Sequence, residues 1–266
     1  MTRRTLLLIL VFVFVGSVGW TAEVVATANS AKGVEPIDAL LEKGRKENYQ
    51  QSGLDLMKES LDMCLKCMEE RPEDYEILWR CARAAHQYGE TARNLQVARW
   101  EEICKEWGKR GMDIAEKAQG IEPERVEGYF WQGACIGIYS DGTGIMTAVK
   151  EGFYKKSKNA MAKVYELDKS YNDYDSVFAN AMFWITLPFP LKSKKNALKY
   201  YREFEENTTW TERPYIRRVY GANLLMDVKP KGYEEEAKRL LDEALAYPHL
   251  QKYYQDWARQ LRSRLK

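Results

Sequence analysis

The sequence predicts an all-α fold, a right-handed α-solenoid of helical hairpins that a C-terminal capping helix closes. Apolar residues recur at spacings of three and four through most of the chain, and no segment alternates as a half-buried strand would. Helical segments also end repeatedly at a polar or proline-containing stop, after which an aromatic-bearing helix begins. Such recurrence is typical of a repeat array, in which each hairpin buries its apolar face on its neighbour.

Four helices are placed by their apolar faces and by the residues that end them. The first ends before Pro72, the second before Pro123 and the third at Pro248, because a residue that precedes proline disfavours the helical region. The fourth, within 250–266, has an apolar stripe on one side and cations off it, as the end of an array requires. These faces are formed by Leu54, Met57, Leu61, Cys64, Leu65 and Met68; by Ile103, Trp107, Ile114 and Ala118; by Leu240, Leu241, Ala244 and Leu245; and by Leu250, Tyr254, Trp257, Leu261 and Leu265.

Small residues stand where paired helices approach most closely, and their pattern over residues 36–248 resembles the tetratricopeptide-repeat (TPR) family. The resemblance implies a TPR-like solenoid for residues 36–266. Lys169 stands where proline is usual, and insertions are expected near 90–105, 138–152, 186–192 and 226–232. The positions that carry the resemblance are Leu78, Cys81, Ala82 and Gly89 on a first helix, and Gly111, Ala115, Ala118 and Pro123 on a second.

A narrower resemblance rests on "EGYFWQGACIGIY", "YELDKSYND" and "LPFPLKSKKNALKYY". These segments are similar to exported bacterial TPR proteins, including those that accompany tripartite ATP-independent periplasmic (TRAP) transporters. The resemblance implies a helical scaffold with a pore or cleft for an apolar ligand, sometimes oligomeric.

The N-terminus predicts export. Arg3 and Arg4 precede an apolar stretch from Leu6 to Trp20, which is short of the roughly 20 residues that span a bilayer. We therefore interpret residues 1–28 as a secretory signal peptide and 29–35 as a short linker, with the uncleaved anchor as the alternative. No cysteine lies near the cleavage region, so a periplasmic protein without a lipid anchor is expected.

Composition argues against several function classes. The chain of 266 residues has 41 Lys and Arg against 39 Asp and Glu, a balance that leaves little overall positive charge to attract nucleic acid. Only His86 and His249 are present, so neither a metal site, a cofactor nor catalytic residues are predicted. His86 is placed near a helix end that Gly89 marks. No membrane contact is expected after signal cleavage.

The five cysteines favour packing over chemistry. Cys64 and Cys67 form a C-x-x-C pair, but they lie in mid-helix on positions where the repeat needs small residues. A disulfide from this pair to Cys81 is the alternative in an oxidising compartment.

Aromatic residues crowd the middle of the chain and supply the candidate binding residues. Large rings can simply fill space in the array, or some can line a concave face for a partner or an apolar ligand. Because neighbours on a helix point about 100° apart, one ring of the trio 129–131 must face groove or solvent. The aromatic candidates are Tyr129, Trp131, Tyr139, Phe183 and Trp184.

Two connectors between helices have signals of their own. Pro188 and Pro190 exclude helix, and Lys192, Lys194 and Lys195 then form a basic spot, either a solvated helix start or a dock for an acidic partner. Asp141 and Gly142 are expected to form a turn between helices.

The leading functional hypothesis is an exported, non-enzymatic scaffold that binds a protein partner or an apolar solute on its concave, aromatic-bearing face. The second is a soluble accessory subunit of a TRAP-type uptake system with a small-molecule pocket, and the third is an enzyme. Homo-oligomerisation is left open.

Overall fold

A computed structural model describes residues 33–47, 50–208, 214–248, 250 and 252–265. The predicted signal peptide and most of the predicted linker lie outside these residues. The described part contains twelve α-helices and no strand, which confirms the all-α solenoid. No described helix has both the length and the hydropathy that crossing a bilayer needs. The helices are α1 Glu35–Lys46, α2 Gln51–Glu70, α3 Tyr75–Leu95, α4 Trp100–Ile121, α5 Val126–Thr143, α6 Ile145–Lys150, α7 Phe153–Asp168, α8 Tyr171–Thr186, α9 Lys194–Asn207, α10 Pro214–Val228, α11 Tyr233–Leu245 and α12 Lys252–Arg262.

Side-chain caps and glycines set several helix starts. The Asp74 carboxylate accepts the backbone N–H of Glu76 at 2.9 Å at the start of α3. The Ser193 hydroxyl accepts the N–H of Asn196 at 3.3 Å at the start of α9. Gly232 precedes α11 with a φ of +78°, a conformation that side-chain-bearing residues rarely adopt.

The helices pack in succession, and their core is a chain of clusters. One cluster joins α1 to α4 and includes Ile37, Leu61 and Ile77. The next joins α3, α4, α5 and α7, and a third joins α8 to α12. Clusters that follow one another along the sequence are what a solenoid produces, because each hairpin packs on its neighbours.

The approach of α4 to α5 depends on residues that have little or no side chain. A Cβ added to Gly111 would lie 2.5 Å from the Cys135 Sγ, and one added to Gly108 would lie 2.7 Å from the Tyr139 backbone nitrogen. Ala115 and Ala118, on the same helix, are fully buried, as is Ala82 on α3. The helix contacts that the sequence predicts through small residues are therefore present.

Two glycines of α4 give a matched test of this contact. Gly111→Ala should destabilise the fold by about 1–3 kcal/mol, because the new methyl overlaps the Cys135 thiol and is also close to the Ala85 side chain. Gly120→Ala should be neutral or stabilising by up to about 1 kcal/mol, because no atom lies within 4 Å and alanine favours helix. Urea unfolding measures the free energy of unfolding of both variants. Equal changes in the two variants would contradict the assigned contact between α4 and α5.

Two local predictions were wrong. Asp141 and Gly142 lie in the last turn of α5, and the chain instead breaks at Gly144, where φ is +85°. Gly89 does not end a helix: α3 continues to Leu95, so His86 lies in its interior. The reason is packing, because a Cβ on Gly89 would lie 2.7 Å from the Ile138 Cδ1, and glycine here makes room for α5.

The last helix caps the array and also returns to its first half. Arg93 Nη2 donates to the Tyr254 hydroxyl at 3.2 Å, and that hydroxyl donates to the Asn94 Oδ1 at 3.4 Å. Tyr254 is fully buried. We call these three residues the clasp, because they join α12 to the end of α3 across about 160 positions of sequence.

The clasp can be tested at two adjacent tyrosines. Tyr254→Phe removes the hydroxyl from Arg93 and Asn94 and should lower the free energy of unfolding by about 1 kcal/mol. Tyr253→Phe should change it by less than about 0.5 kcal/mol, since Tyr253 is 40% exposed. Thermal melts of the two variants give the comparison, and the clasp has no energetic role if they coincide.

All five cysteines are free thiols in this structure, and four of them are buried. Burial raises the pKa of Cys135, and burial raises the pKa of Cys104 to about 12. The Cys81 thiol lies beside Cys64, which raises the pKa of Cys81. Among the described residues no three His, Cys, Asp or Glu side chains are grouped to hold a metal ion.

These environments predict the rate of thiol labelling. Because the thiolate is the reactive form, the native protein at pH 8 should react quickly only at Cys67, the one thiol that is partly exposed. Denaturation should make all five thiols reactive. Time-resolved labelling with a chromogenic disulfide counts the thiols that react before and after denaturation, and a Cys67→Ser variant should lose the fast phase.

Candidate functional site

The array encloses a groove of about 580 Å³. Its walls come from α3, α5, α6, α7 and α8, with one residue of α10, Tyr220. Helices as distant in sequence as α3 and α10 meet there only because the array curves. The groove is therefore the concave face that a helical-repeat fold is expected to present.

Aromatic rings dominate its wall. Tyr154 of α7 and Phe183 of α8 stack with their centroids 5.7 Å apart and their planes 10° apart. Phe130 meets Trp131 edge-on at 4.9 Å, and the Trp131 ring lies 5.7 Å from His86. Edge and offset contacts of this kind hold rings in fixed positions, so the surface is preformed. The aromatic residues of the lining are Phe130, Trp131, Phe153, Tyr154, Phe178, Phe183 and Tyr220.

Small residues of α5 leave space in the middle of the groove. A Cβ on Gly137 would meet no atom within 4 Å, so backbone faces open space there. Gly133 differs, because the Met161 side chain of α7 fills the position that its Cβ would occupy. One glycine therefore widens the groove and the other lets α7 pack against α5.

One end of the groove is polar. Arg93 lines it and forms an ion pair with Asp141, while donating to the Asn94 Oδ1 at 3.1 Å. Burial raises the pKa of Tyr220 and of Tyr254, so both phenols stay protonated at neutral pH. Arg93 therefore belongs both to the clasp and to this end of the groove.

The opposite end has a strained backbone. Asn172, Asp173 and Tyr174 all have positive φ, between 54° and 63°, inside α8. Arg217, which is only 4% exposed, binds Asp173 at 3.4 Å and also pairs with Asp175. Strained conformations of this kind persist only where surrounding contacts hold them. Asn172 and Asp175 place polar groups at this end of the groove.

Two of the predicted binding residues, Trp131 and Phe183, line the groove together. Tyr129 points away from it, and its hydroxyl donates to the Pro123 carbonyl at 3.1 Å. Tyr139 is buried beside Phe153, and its hydroxyl donates to Glu151 at 2.6 Å. That hydrogen bond raises the pKa of Tyr139 to about 12.

The other three predicted residues lie outside the groove. Trp184 packs against the C-terminal core, with the Lys158 ammonium 5.8 Å from its ring. Lys192 and Lys194 both bind Asp227, at 2.8 and 2.9 Å. Burial alone would raise the pKa of Asp227, but the two lysines outweigh it and lower that pKa.

Sequence reasoning missed His86, Phe153, Tyr154 and Tyr220. The pair Phe153–Tyr154 follows Gly152 at the start of a helix. This pair was an available signal, because two adjacent aromatic residues on a helix point in different directions and cannot both be buried on the same face. Tyr220 had no such signal, since its place in the groove depends on how the second half of the array curves back.

Comparison with known proteins places the chain in a family. The profile of the family described as "RMD1-3: Regulator of microtubule dynamics protein 1-3" matches residues 34–173, more than half of the chain. The chain belongs to the RMD1-3 family. Among solved structures, it is similar to a de novo designed helical repeat protein, DHR64, at 11% identity and a TM-score of 0.26, over 89% of this chain and 97% of that one. No curated protein matches the chain in sequence.

The part shared with the RMD1-3 family contains most of the groove. Residues 34–173 include α1 to α7, and therefore the walls from α3, α5, α6 and α7. Most of the wall formed by α8, including Phe183, lies beyond the matched range, as does the residue from α10.

Proposed function

We propose that this RMD1-3 family chain is a non-enzymatic helical-repeat scaffold that binds an apolar segment of a protein partner in the groove. The observation that carries the proposal is a preformed groove of about 580 Å³ whose aromatic lining residues come from α5, α7, α8 and α10. That volume lies within the roughly 300–1,000 Å³ of typical ligand sites. The family description, which names regulators, supports a role in protein interaction.

Binding would draw its free energy from the removal of water from rings that are already in place. Stacked pairs such as Tyr154 and Phe183 lose little side-chain entropy when a ligand covers them. The polar ends would set orientation, since Arg93 with Asp141 lies at one end and Asp175 with Arg217 at the other. These charges are already paired, which supports binding rather than acid–base chemistry.

We propose that the hairpins are of TPR type, which the full burial of Ala82, Ala115 and Ala118 supports. We also propose that the chain is exported and that its signal peptide is removed. Intact-mass measurement of the protein purified from its own cells tests this, since a mass that retains residues 1–28 would contradict cleavage.

The alternative is an accessory subunit of a TRAP-type uptake system with a small apolar solute in the groove. This reading calls for a closed cavity between Trp131 and Trp184. Trp184 lies outside the lining, and the groove is not an enclosed cavity, so a protein segment fits better. Native mass spectrometry distinguishes the two, because a solute would add a fixed mass of a few hundred daltons or less.

Two neighbouring residues of α8 test the groove. Phe183→Ala removes a ring from the wall and should weaken binding of a hydrophobic fluorescent probe, anilinonaphthalene sulfonate, by about 5- to 20-fold. Trp184→Ala should leave that affinity within about two-fold, because the ring packs on the core. Fluorescence titration gives the affinities, and thermal melts confirm that both variants fold.

The opposite result would be equally clear. If Trp184→Ala weakened probe binding and Phe183→Ala did not, the binding surface would lie elsewhere and the proposed function would lose its basis.

A further inference from the structure

The connector between α8 and α9 presents an unusually exposed aromatic residue. Phe189 is 94% exposed, the highest value among the large apolar side chains that the structure describes. The turn that carries it is ordered by hydrogen bonds, since the Leu191 N–H donates to the Pro188 carbonyl at 2.8 Å and the Ser193 N–H to the Trp184 carbonyl at 3.1 Å. The ring is therefore held in solvent by a fixed turn.

Lysines surround this turn. Lys192, Lys194 and Lys195 follow Phe189 within six residues. Asp227, which binds the first two, brings the α10–α11 connector alongside, and that connector adds Lys229 and Lys231.

Four acids lie near these five lysines, and one of them, Glu236, is paired with an arginine. The two connectors contain no acidic residue, and Asp227 precedes the second of them. At the start of α11, Glu234 accepts the Tyr233 hydroxyl and Glu236 pairs with Arg202, while Glu235 is exposed. The five lysines therefore exceed the nearby acids, and the surface around Phe189 is positive.

A second apolar tip lies across the groove. Ile145 and Met146, at the start of α6, are 36% and 53% exposed. Ile145 lines the same groove as Leu187, which is two residues before Phe189. We call the two connectors, with Ile145, Met146, Phe189 and the surrounding lysines, the rim.

We propose that the rim docks on the surface of an anionic lipid bilayer. Aromatic and aliphatic tips beside lysines are the combination that binds bilayer interfaces, because the apolar tips enter the headgroup boundary while the cations contact anionic headgroups. The apolar tips stand on two separate elements that border the same groove, the α8–α9 connector and the start of α6, whereas the buried core of a protein interface is a continuous patch. A fluid bilayer can receive separate tips at once. This contact is peripheral and is independent of what the groove binds. It departs from the expectation, drawn from the sequence, that the chain makes no membrane contact after signal cleavage.

Vesicle flotation of the full chain tests the proposal. Phe189→Ser should reduce partitioning onto vesicles of phosphatidylcholine with phosphatidylserine about ten-fold. Ile121→Ser is the matched control, because Ile121 is 38% exposed at the far end of α4 and should leave partitioning unchanged. Lys195→Glu should reduce partitioning about five- to thirty-fold, because the substitution removes one positive charge and adds one negative charge. The reduction should become smaller as salt is raised, because salt screens these charges.

A second measurement reports the insertion of residue 189 into the bilayer. It does not depend on how much the N-terminal segment contributes to flotation. Brominated lipid chains should quench the emission of a Phe189→Trp chain more than that of an Ile121→Trp chain. Equal quenching of the two chains overturns the proposal. Light scattering that shows a dimer for the wild type and a monomer for Phe189→Ser also overturns it, since a second copy would then cover the rim.

Discussion

The close approach of α4 and α5 determines the rest of the structure. Gly108 and Gly111 contribute no side chain to this contact, so α4 backbone lies against the Tyr139 backbone and the Cys135 thiol. Small residues of α4 also leave room for large residues of α5. Phe130 and Trp131 pack in one cluster with Ala115 and Ala118, and both rings line the groove.

The groove combines an apolar middle with charged ends whose charges are already compensated. A guanidinium as buried as that of Arg217 costs free energy unless a carboxylate pairs with it, and Asp173 and Asp175 supply two. Arg93 is compensated in the same way by Asp141. The rings can therefore stay fixed around an open space without leaving a strong local charge to repel an apolar ligand.

Periodicity and small-residue positions were enough to predict the architecture, since these features report helix faces and helix contacts directly. They could not show which glycines end helices: Gly89 makes room for Ile138, whereas Gly144 breaks the chain, and only the position of α5 distinguishes the two. The groove was predicted in part. Trp131 and Phe183 lie in it, but Trp184 points about 100° away from its neighbour and faces the core.

The site residues that no pattern indicated are those that depend on curvature. Tyr220 and Tyr254 reach Arg93 because the second half of the array bends back toward α3, and no local spacing encodes that path. The same holds for the exposure of Phe189, since two prolines exclude helix but do not specify whether the residue between them packs or projects.

The clasp changes how this array can behave mechanically. In an open solenoid each unit is coupled only to its neighbours, and the two ends can fray or stretch independently. Here α12 is hydrogen-bonded to the end of α3 through Tyr254, so the coupling is no longer confined to neighbouring hairpins. Uncoiling of the array would first have to break the hydrogen bonds that Tyr254 forms with Arg93 and Asn94, so the clasp opposes widening of the groove.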